Sequence, residues 1–322
     1  MPTEVGGKPR ILLADDHPHL LTSASRLLSQ DFHVVGAVSS GRKAVDVAAH
    51  LDPDVIVLDI AMPDLNGFQT LNHLRAMGSR ATVVFLSTYG TDAYMTAALR
   101  SGARGYVLKT RIARDLVGAI HHALAGRVFV PSLTALSEST AGGGHVAHFH
   151  RDPRRMLDTV SRFVLACLRS GESVVVVGTE ATRRAIADHV HSSAIDLQVL
   201  EQRRQYVASD AGQALAAVMS GDRPDAARLA EIVDGLERSR LEAANESPSR
   251  VIVFGEMAVP LCSTGNMEGA LEIEQIWSRL TARLPIFTTC SYPLACFQDG
   301  RGQEHLSRFY AEHQAICHAP TS

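Results

Sequence analysis

The sequence predicts the α/β fold class, a parallel-sheet domain followed by a second α/β domain, and three observations carry that prediction. From Arg10 onward, short β-branched or apolar runs alternate with longer stretches of helical periodicity, and each run closes on polar residues or glycine, the pattern of a parallel α/β sheet. The 322 residues exceed the roughly 100 to 200 of an ordinary domain, and the alternation restarts after a polar, glycine-rich break. Hydrophobic residues make up 46% and charged residues 20%, with a formal net charge of -3, which describes a folded soluble chain rather than a disordered one.

Residues 1–9 read as a tail, and the first domain is expected over 10–130. Its strands are expected at 11–14, 33–38, 55–58, 82–86 and 105–108, interleaved with five helices. Leu20, Leu21, Ala24, Leu27 and Leu28 mark the buried stripe of the first helix, and Ile112, Leu116, Ala119, Ile120 and Leu124 that of the last. Residues 131–144 read as a flexible linker ending in a glycine triplet that no strand precedes and no lysine follows, which argues against a phosphate-binding loop.

A second domain is expected over 145–320. Met156, Leu157, Val160, Phe163, Val164, Cys167 and Leu168 form an amphipathic stripe behind Pro153, and 174–177 is a wholly apolar strand expected to be buried on both faces. Residues 210–245 read as helices and 251–254 as another strand. Ala270, Ile273, Trp277, Leu280 and Leu284 line a helix face ahead of a strand at 286–289.

The chemistry of the first half lies at its strand ends. Asp15 and Asp16 follow the first strand and Asp59 the third, and in an open parallel sheet those ends converge on one crevice. Three gathered carboxylates repel one another unless a hard cation joins them, and an all-oxygen set suits Mg²⁺. Ser87 and Lys109 end the next two strands and deliver a hydroxyl and an ammonium to the same rim, which is what an incoming phosphoryl group needs. Asp59 is then placed to act as nucleophile and form an acyl phosphate. Singly, each residue has a plainer role: an Asp-Asp pair can cap a helix, Ser87 can shape a turn, Tyr106 can be a half-buried aromatic, and His17 and His19 read as loop residues.

Together these segments resemble the bacterial two-component receiver family. Leu13-Ala-Asp-Asp-His-Pro18, Val57-Leu-Asp-Ile-Ala-Met-Pro-Asp-Leu-Asn-Gly67, Phe85-Leu-Ser87 and Gly105-Tyr-Val-Leu-Lys109 match its motifs in order and spacing over residues 8–130. The resemblance implies a flavodoxin-like five-stranded parallel fold, Asp59 as phosphoacceptor for a sensor histidine kinase, and Mg²⁺ held by Asp15, Asp16, Asp59 and the Ala61 carbonyl. It further implies that Ser87 and Lys109 bind the phosphoryl group, that Tyr106 rotates inward when Ser87 shifts, and that a homodimer can form through the last helices.

The second half resembles the MEDS domain, the methanogen/methylotroph sensory domain. The resemblance runs over 143–320 and is carried by His145-Val-Ala-His-Phe149, Gly171-Glu-Ser-Val-Val-Val-Val177, Gly255-Glu-Met-Ala258, Leu271-Glu-Ile-Glu-Gln-Ile-Trp277 and Cys290-Ser-Tyr-Pro293. It implies a RecA/KaiC-like core that senses a small molecule. Glu256, Met257, Trp277 and Tyr292, with Phe297, are the candidate site residues there, ordinary core packing being their plainer reading. Glu256 stands where such folds keep a catalytic carboxylate. Arg183, Arg184 and Ala185, however, occupy the positions where a P-loop needs Gly, Lys and Ser or Thr, which argues against NTP hydrolysis and against an enzyme. His145, His148, His150, His313 and His318, with Cys290 or Cys317, have the donor chemistry of a zinc site, but their separation in sequence favours core or surface histidines and buried thiols.

Other classes are set aside on composition. No apolar run reaches the roughly 18 residues of a membrane span, and 1–10 lacks the apolar core of a signal peptide, so a cytoplasmic protein is expected. Five cysteines without CxxC spacing argue against a disulfide framework or zinc ribbon. No basic recognition helix stands out in the second half, so direct DNA binding is not expected. The leading expectation is a response regulator signalling through its second domain; the alternatives are a ligand-sensing module whose receiver acts as phosphate sink or scaffold, and a RecA-like NTPase output.

Overall fold

The computed structural model describes residues 7–139, 143–193, 195–243, 250–298 and 300–318, and it divides the chain into two compact units, Met1–Pro131 and Ser132–Ser322. The first unit runs β1 (Arg10–Ala14), α1 (Pro18–Leu28), β2 (His33–Val38), α2 (Gly41–Leu51), β3 (Val55–Asp59), α3 (Gly67–Ala76), β4 (Thr82–Ser87), α4 (Asp92–Arg100), β5 (Gly105–Leu108) and α5 (Ile112–Leu124). Its sheet order is β2-β1-β3-β4-β5 with every pair parallel, the flavodoxin-like arrangement, and a two-residue strand β6 (Val128–Phe129) joins beyond β5.

Helices cover both faces of this sheet, so β3 is buried throughout, as its unbroken Val-Ile-Val-Leu run requires. Alternate residues Ile11, Leu13, Val55, Val57, Val84 and Leu86 point to one face and pack on Leu28, Leu116, Ala119 and Ile120. Leu124, expected on the α5 stripe, is the last residue of the helix and is 37% exposed. At the entrance to α3, an added Cβ at Gly67 would lie 2.5 Å from the Asp59 carbonyl oxygen, so only glycine lets this helix begin against the end of β3. Asn66 and Gln69 then close a capping box over its first turn.

The second unit runs α6 (Leu133–Ser139), β7 (Gly144–His150), α7 (Pro153–Arg169), β8 (Ser173–Gly178), α8 (Glu180–Ser192), α9 (Leu197–Gln202), β9 (Tyr206–Asp210), α10 (Ala211–Val218), the short strands β10 (Met219–Ser220) and β11 (Arg223–Pro224), α11 (Ala226–Ala243), β12 (Val251–Gly255), α12 (Val259–Ser263), α13 (Met267–Thr281), β13 (Ile286–Pro293), α14 (Gly302–Glu312) and β14 (Ala315–His318). Its sheet order is β14-β7-β13-β12-β8-β9, again with every pair parallel.

Several features differ from the sequence-based expectation: the antiparallel pair β10–β11 interrupts the helices expected over 210–245, and Leu284, expected on the face of α13, lies beyond the helix end at Thr281. Residues 133–139, expected in a flexible linker, form α6: Leu133, Ala135 and Leu136 are buried, and the Arg250 guanidinium donates to the Ser137 carbonyl at 2.6 Å and the Ser137 hydroxyl at 2.9 Å. Residues 140–142 of that expected linker lie outside the described residues. Strand β8 alternates between buried and half-buried residues instead of being buried on both faces, because Val175 and Val177 face a cavity. Strand β13 extends to Pro293, four residues past the expected end, which carries Cys290 and Tyr292 into the sheet.

Candidate functional site

In the first unit the chain turns back at β1 and β3, and the carboxyl ends of those strands form the crevice where open α/β sheets bind ligands. Asp15 and Asp59 are almost wholly buried there, and Asp16 is partly exposed. Lys109, arriving from the end of β5, sets its Nζ 2.8 Å from Asp15 Oδ2 and 2.8 Å from Asp59 Oδ2. Burial raises the Asp59 pKa; hydrogen bonds from Lys109 and the Ala61 N–H oppose that, and the Asp15 charge adds to it. The Ala61 N–H donates to Asp59 Oδ1 at 3.1 Å, fixing the carboxylate from the loop that follows β3.

Ser87 is buried at the end of β4, and its hydroxyl accepts from the Tyr89 N–H at 3.0 Å. Tyr106 is fully buried, and its hydroxyl donates to the Tyr89 carbonyl at 2.6 Å, so the ring already takes the inward position. His17, read from sequence as a loop residue, sets Nδ1 2.7 Å from Asp16 Oδ1 and 3.1 Å from Asp15 Oδ1. Side-chain donor atoms of Asp15, Asp16, His17 and Asp59 all lie within 4.8 Å of one another. Three carboxylates against one ammonium leave two formal negative charges, which one hard divalent cation would cancel.

The second unit holds a cavity of about 680 Å³ between one face of its sheet and helices α11 and α13. Val175, Val177 and Val253 supply apolar wall, and Glu256, Met257, Trp277 and Tyr292, the residues singled out from sequence, line it together. Phe297 instead packs in a cluster with Phe149, Tyr292 and Phe309. The Trp277 indole N–H donates to the Thr288 hydroxyl at 2.9 Å, which locks the ring over the cavity. Glu256 Oε2 accepts the Thr179 N–H at 2.8 Å, so a carboxylate of the chain itself occupies the turn between β8 and α8 where a P-loop would hold phosphate. Arg183, standing where that loop needs glycine, donates to the Gly178 carbonyl at 3.2 Å and to Asp210 at 3.0 Å.

Beside that cavity the fold gathers His145, Glu274, Cys290 and His313, whose donor atoms lie within 4.8 Å of one another. The register aligns His145 of β7 with Thr288 of β13, so His145 shares a sheet face with Cys290 and Tyr292, whereas His148 and His150 point the other way. Distance along the sequence therefore says nothing against His145, His313 and Cys290 meeting, contrary to the reading that kept them apart. The His318 side chain lies outside the described residues. Glu274 escaped notice although a signal existed: it sits between Ala270, Ile273 and Trp277 on the apolar stripe of α13, and a charge on a buried stripe needs partners.

Residues 11–121 match the family described as response regulator receiver domain, and residues 144–308 match the family described as MEDS, methanogen/methylotroph, DcmR sensory domain. Over 120 residues the chain is 42% identical to the nitrate/nitrite response regulator protein NarL of Escherichia coli strain K12, covering 37% of this chain and 56% of that protein. Over 128 residues it is 35% identical to the uncharacterized transcriptional regulatory protein YvfU of Bacillus subtilis strain 168, covering 39% of this chain and 64% of that one. The chain thus spans less than two thirds of the length of these curated relatives. A solved two-component response regulator of the LuxR family from Aurantimonas sp. SI85-9A1 aligns at 29% identity with a TM-score of 0.38, over 41% of this chain and 96% of that one. Among the described residues, no helix is long and apolar enough to cross a membrane.

Proposed function

This chain belongs to the MEDS family, with a response regulator receiver domain ahead of its MEDS domain, and on that premise we propose that it is a response regulator phosphorylated on Asp59 by a sensor histidine kinase. The observation that carries the reading is the ammonium of Lys109 held 2.8 Å from both Asp15 and Asp59 at the strand ends, with Ser87 on the same rim. In the proposed reaction a carboxylate oxygen of Asp59 attacks phosphorus in line, the bond from phosphorus to the donor breaks, and an acyl phosphate remains on Asp59. Asp15, Asp16, Asp59 and the Ala61 carbonyl would hold Mg²⁺, whose chemistry is to neutralise charge on the phosphoryl oxygens. Lys109 would pair with one phosphoryl oxygen, and the Ser87 hydroxyl would leave the Tyr89 N–H to donate to another. Because the Tyr106 hydroxyl also bonds Tyr89, moving Ser87 would disturb the segment that joins β4 to α4, a local charge event biasing a bistable element.

The output in this reading is the MEDS domain, acting on a partner protein and not on DNA. A second reading, favoured by the apolar cavity under Trp277, makes that domain a receptor for a small molecule that tunes the lifetime of the phosphorylated receiver. Incubation of the full chain with Mg²⁺ and acetyl phosphate, followed by intact mass, tests the first reading. A gain of one phosphoryl group that is absent in Asp59→Asn supports it, and no gain with any phosphodonor or kinase refutes it. For NTP hydrolysis the self-satisfied turn at Thr179 and Glu256 speaks against turnover.

A further inference from the structure

We propose that His145, Glu274, Cys290 and His313 form a binding site for a divalent transition-metal ion of the zinc class inside the MEDS domain. The four side chains come from separate elements, β7, α13, β13 and the end of α14, and each is buried. His145 Nε2 lies 2.9 Å from Glu274 Oε2 and 3.3 Å from Cys290 Sγ, and His313 Nε2 lies 3.2 Å from the same Glu274 oxygen. A tetrahedral ion with metal–nitrogen bonds of about 2.0 Å and a metal–sulfur bond of about 2.3 Å keeps its ligands roughly 3.3 to 3.6 Å apart, so small outward shifts admit it.

One hydrogen bond favours a metal site over a cluster of neutral polar groups. His313 Nδ1 lies 2.7 Å from the Phe309 carbonyl oxygen, which can only accept, so Nδ1 carries the proton. In the neutral ring the lone pair on Nε2 then points at Glu274 Oε2, an acceptor facing an acceptor in a dry interior. His145 has no such conflict at Nε2, which donates to that oxygen as the Nε2–H tautomer, but its buried Nδ1 has no hydrogen-bond partner. A cation among the four atoms turns the opposed His313–Glu274 contact into two coordination bonds and draws on the His145 and Cys290 donors beside it.

The surroundings are those of a tuned metal site. The Phe309 carbonyl fixes one imidazole tautomer, and the Tyr292 hydroxyl donates to Glu274 Oε1, turning Oε2 toward the two histidines. A dication bound by the Glu274 carboxylate and the Cys290 thiolate leaves no net charge in the interior. Glu274 and Cys290 also line the 680 Å³ cavity, which supplies an access route and would let a small molecule in the cavity meet the ion.

The test uses the full chain without an affinity tag, stripped with a chelator and then titrated with Zn²⁺ or Co²⁺ alone in excess Mg²⁺, so that the receiver carboxylates do not compete. The expected result is one tight equivalent per chain, with the Co²⁺ form showing intense visible bands of low coordination number and a thiolate-to-cobalt charge-transfer band. Cys290→Ser should abolish that band, Cys167→Ser should keep it, and Glu274→Gln should weaken binding by roughly 10- to 100-fold or more. A wild-type chain, folded by circular dichroism, that binds no tight equivalent overturns the proposal. So does bound Co²⁺ without a thiolate band, or with a band that Cys290→Ser leaves intact.

Discussion

Lys109 is the single ammonium facing two buried carboxylates among the described residues, and its removal should be strongly destabilising. Its side chain is 11% exposed and its two partners 1% each, so Lys109→Met strands Asp15 and Asp59 against each other away from water. Breaking a buried ion pair by deleting one partner costs about 3 to 5 kcal/mol, and the lower figure applies at a crevice that water can enter. For a unit of this size each kcal/mol moves the melting temperature by roughly 3 to 6 °C, which puts the fall at about 9 to 18 °C.

The pH dependence of that deficit has a definite sign. Burial already raises the Asp59 pKa, and losing the Lys109 hydrogen bond raises it further, so folding disfavours the ionised form. The deficit should be full above the raised Asp59 pKa and shrink as pH falls through it. Added Mg²⁺ should also close much of the gap, since any cation between the carboxylates replaces the missing ammonium. Scanning calorimetry of both chains in EDTA, at neutral and acidic pH and then with Mg²⁺, checks each part. A Lys109→Met receiver that melts with the wild type in EDTA at neutral pH would show that the two carboxylates are not confined together.

Trp277 is the chain's single tryptophan, so its fluorescence follows the MEDS domain alone. Trp277→Phe removes the donor to Thr288 and leaves a buried hydroxyl unpaired, a loss of about 2 to 3 kcal/mol by urea unfolding followed with circular dichroism; a loss below 0.5 kcal/mol, on the order of measurement error, would mean the bond is not made. Glu256 has its pKa raised by burial against the hydrogen bonds of Thr179 and Thr182, so its ionisation should erode stability as pH rises through that pKa. Glu256→Gln should therefore match the wild type at low pH and exceed it above neutrality, with the Thr179 N–H still satisfied by the amide oxygen. An unchanged pH profile in Trp277-monitored unfolding would contradict this.

The receiver was legible because its acidic, hydroxyl and ammonium groups stand at or just past strand ends, and strand ends are marked by the change from apolar run to polar punctuation. Asp15, Asp59, Ser87 and Lys109 could be assigned to one rim once the strands were counted. His17 was not, because its role depends on a side-chain rotamer that reaches back to Asp16, which no pattern records. Helix α6 was hidden by composition: its Ser137 looks like linker but is paid for by a guanidinium over one hundred residues away. The His145, Glu274, Cys290 and His313 cluster was hidden by topology, since only the β7–β13 register and the return of the chain through α14 bring it together. Glu274 alone carried a readable mark, its place on an apolar stripe.

The most direct measurement is reductive trapping of the phosphorylated chain. Treatment with borohydride after incubation with Mg²⁺ and acetyl phosphate converts an aspartyl phosphate to homoserine, which tandem mass spectrometry locates within the sequence. Conversion confined to Asp59 is the predicted result. A chain that takes up phosphate but is converted at another residue, or shows no conversion while Mg²⁺ binds, would contradict the assignment of Asp59 as the phosphoacceptor.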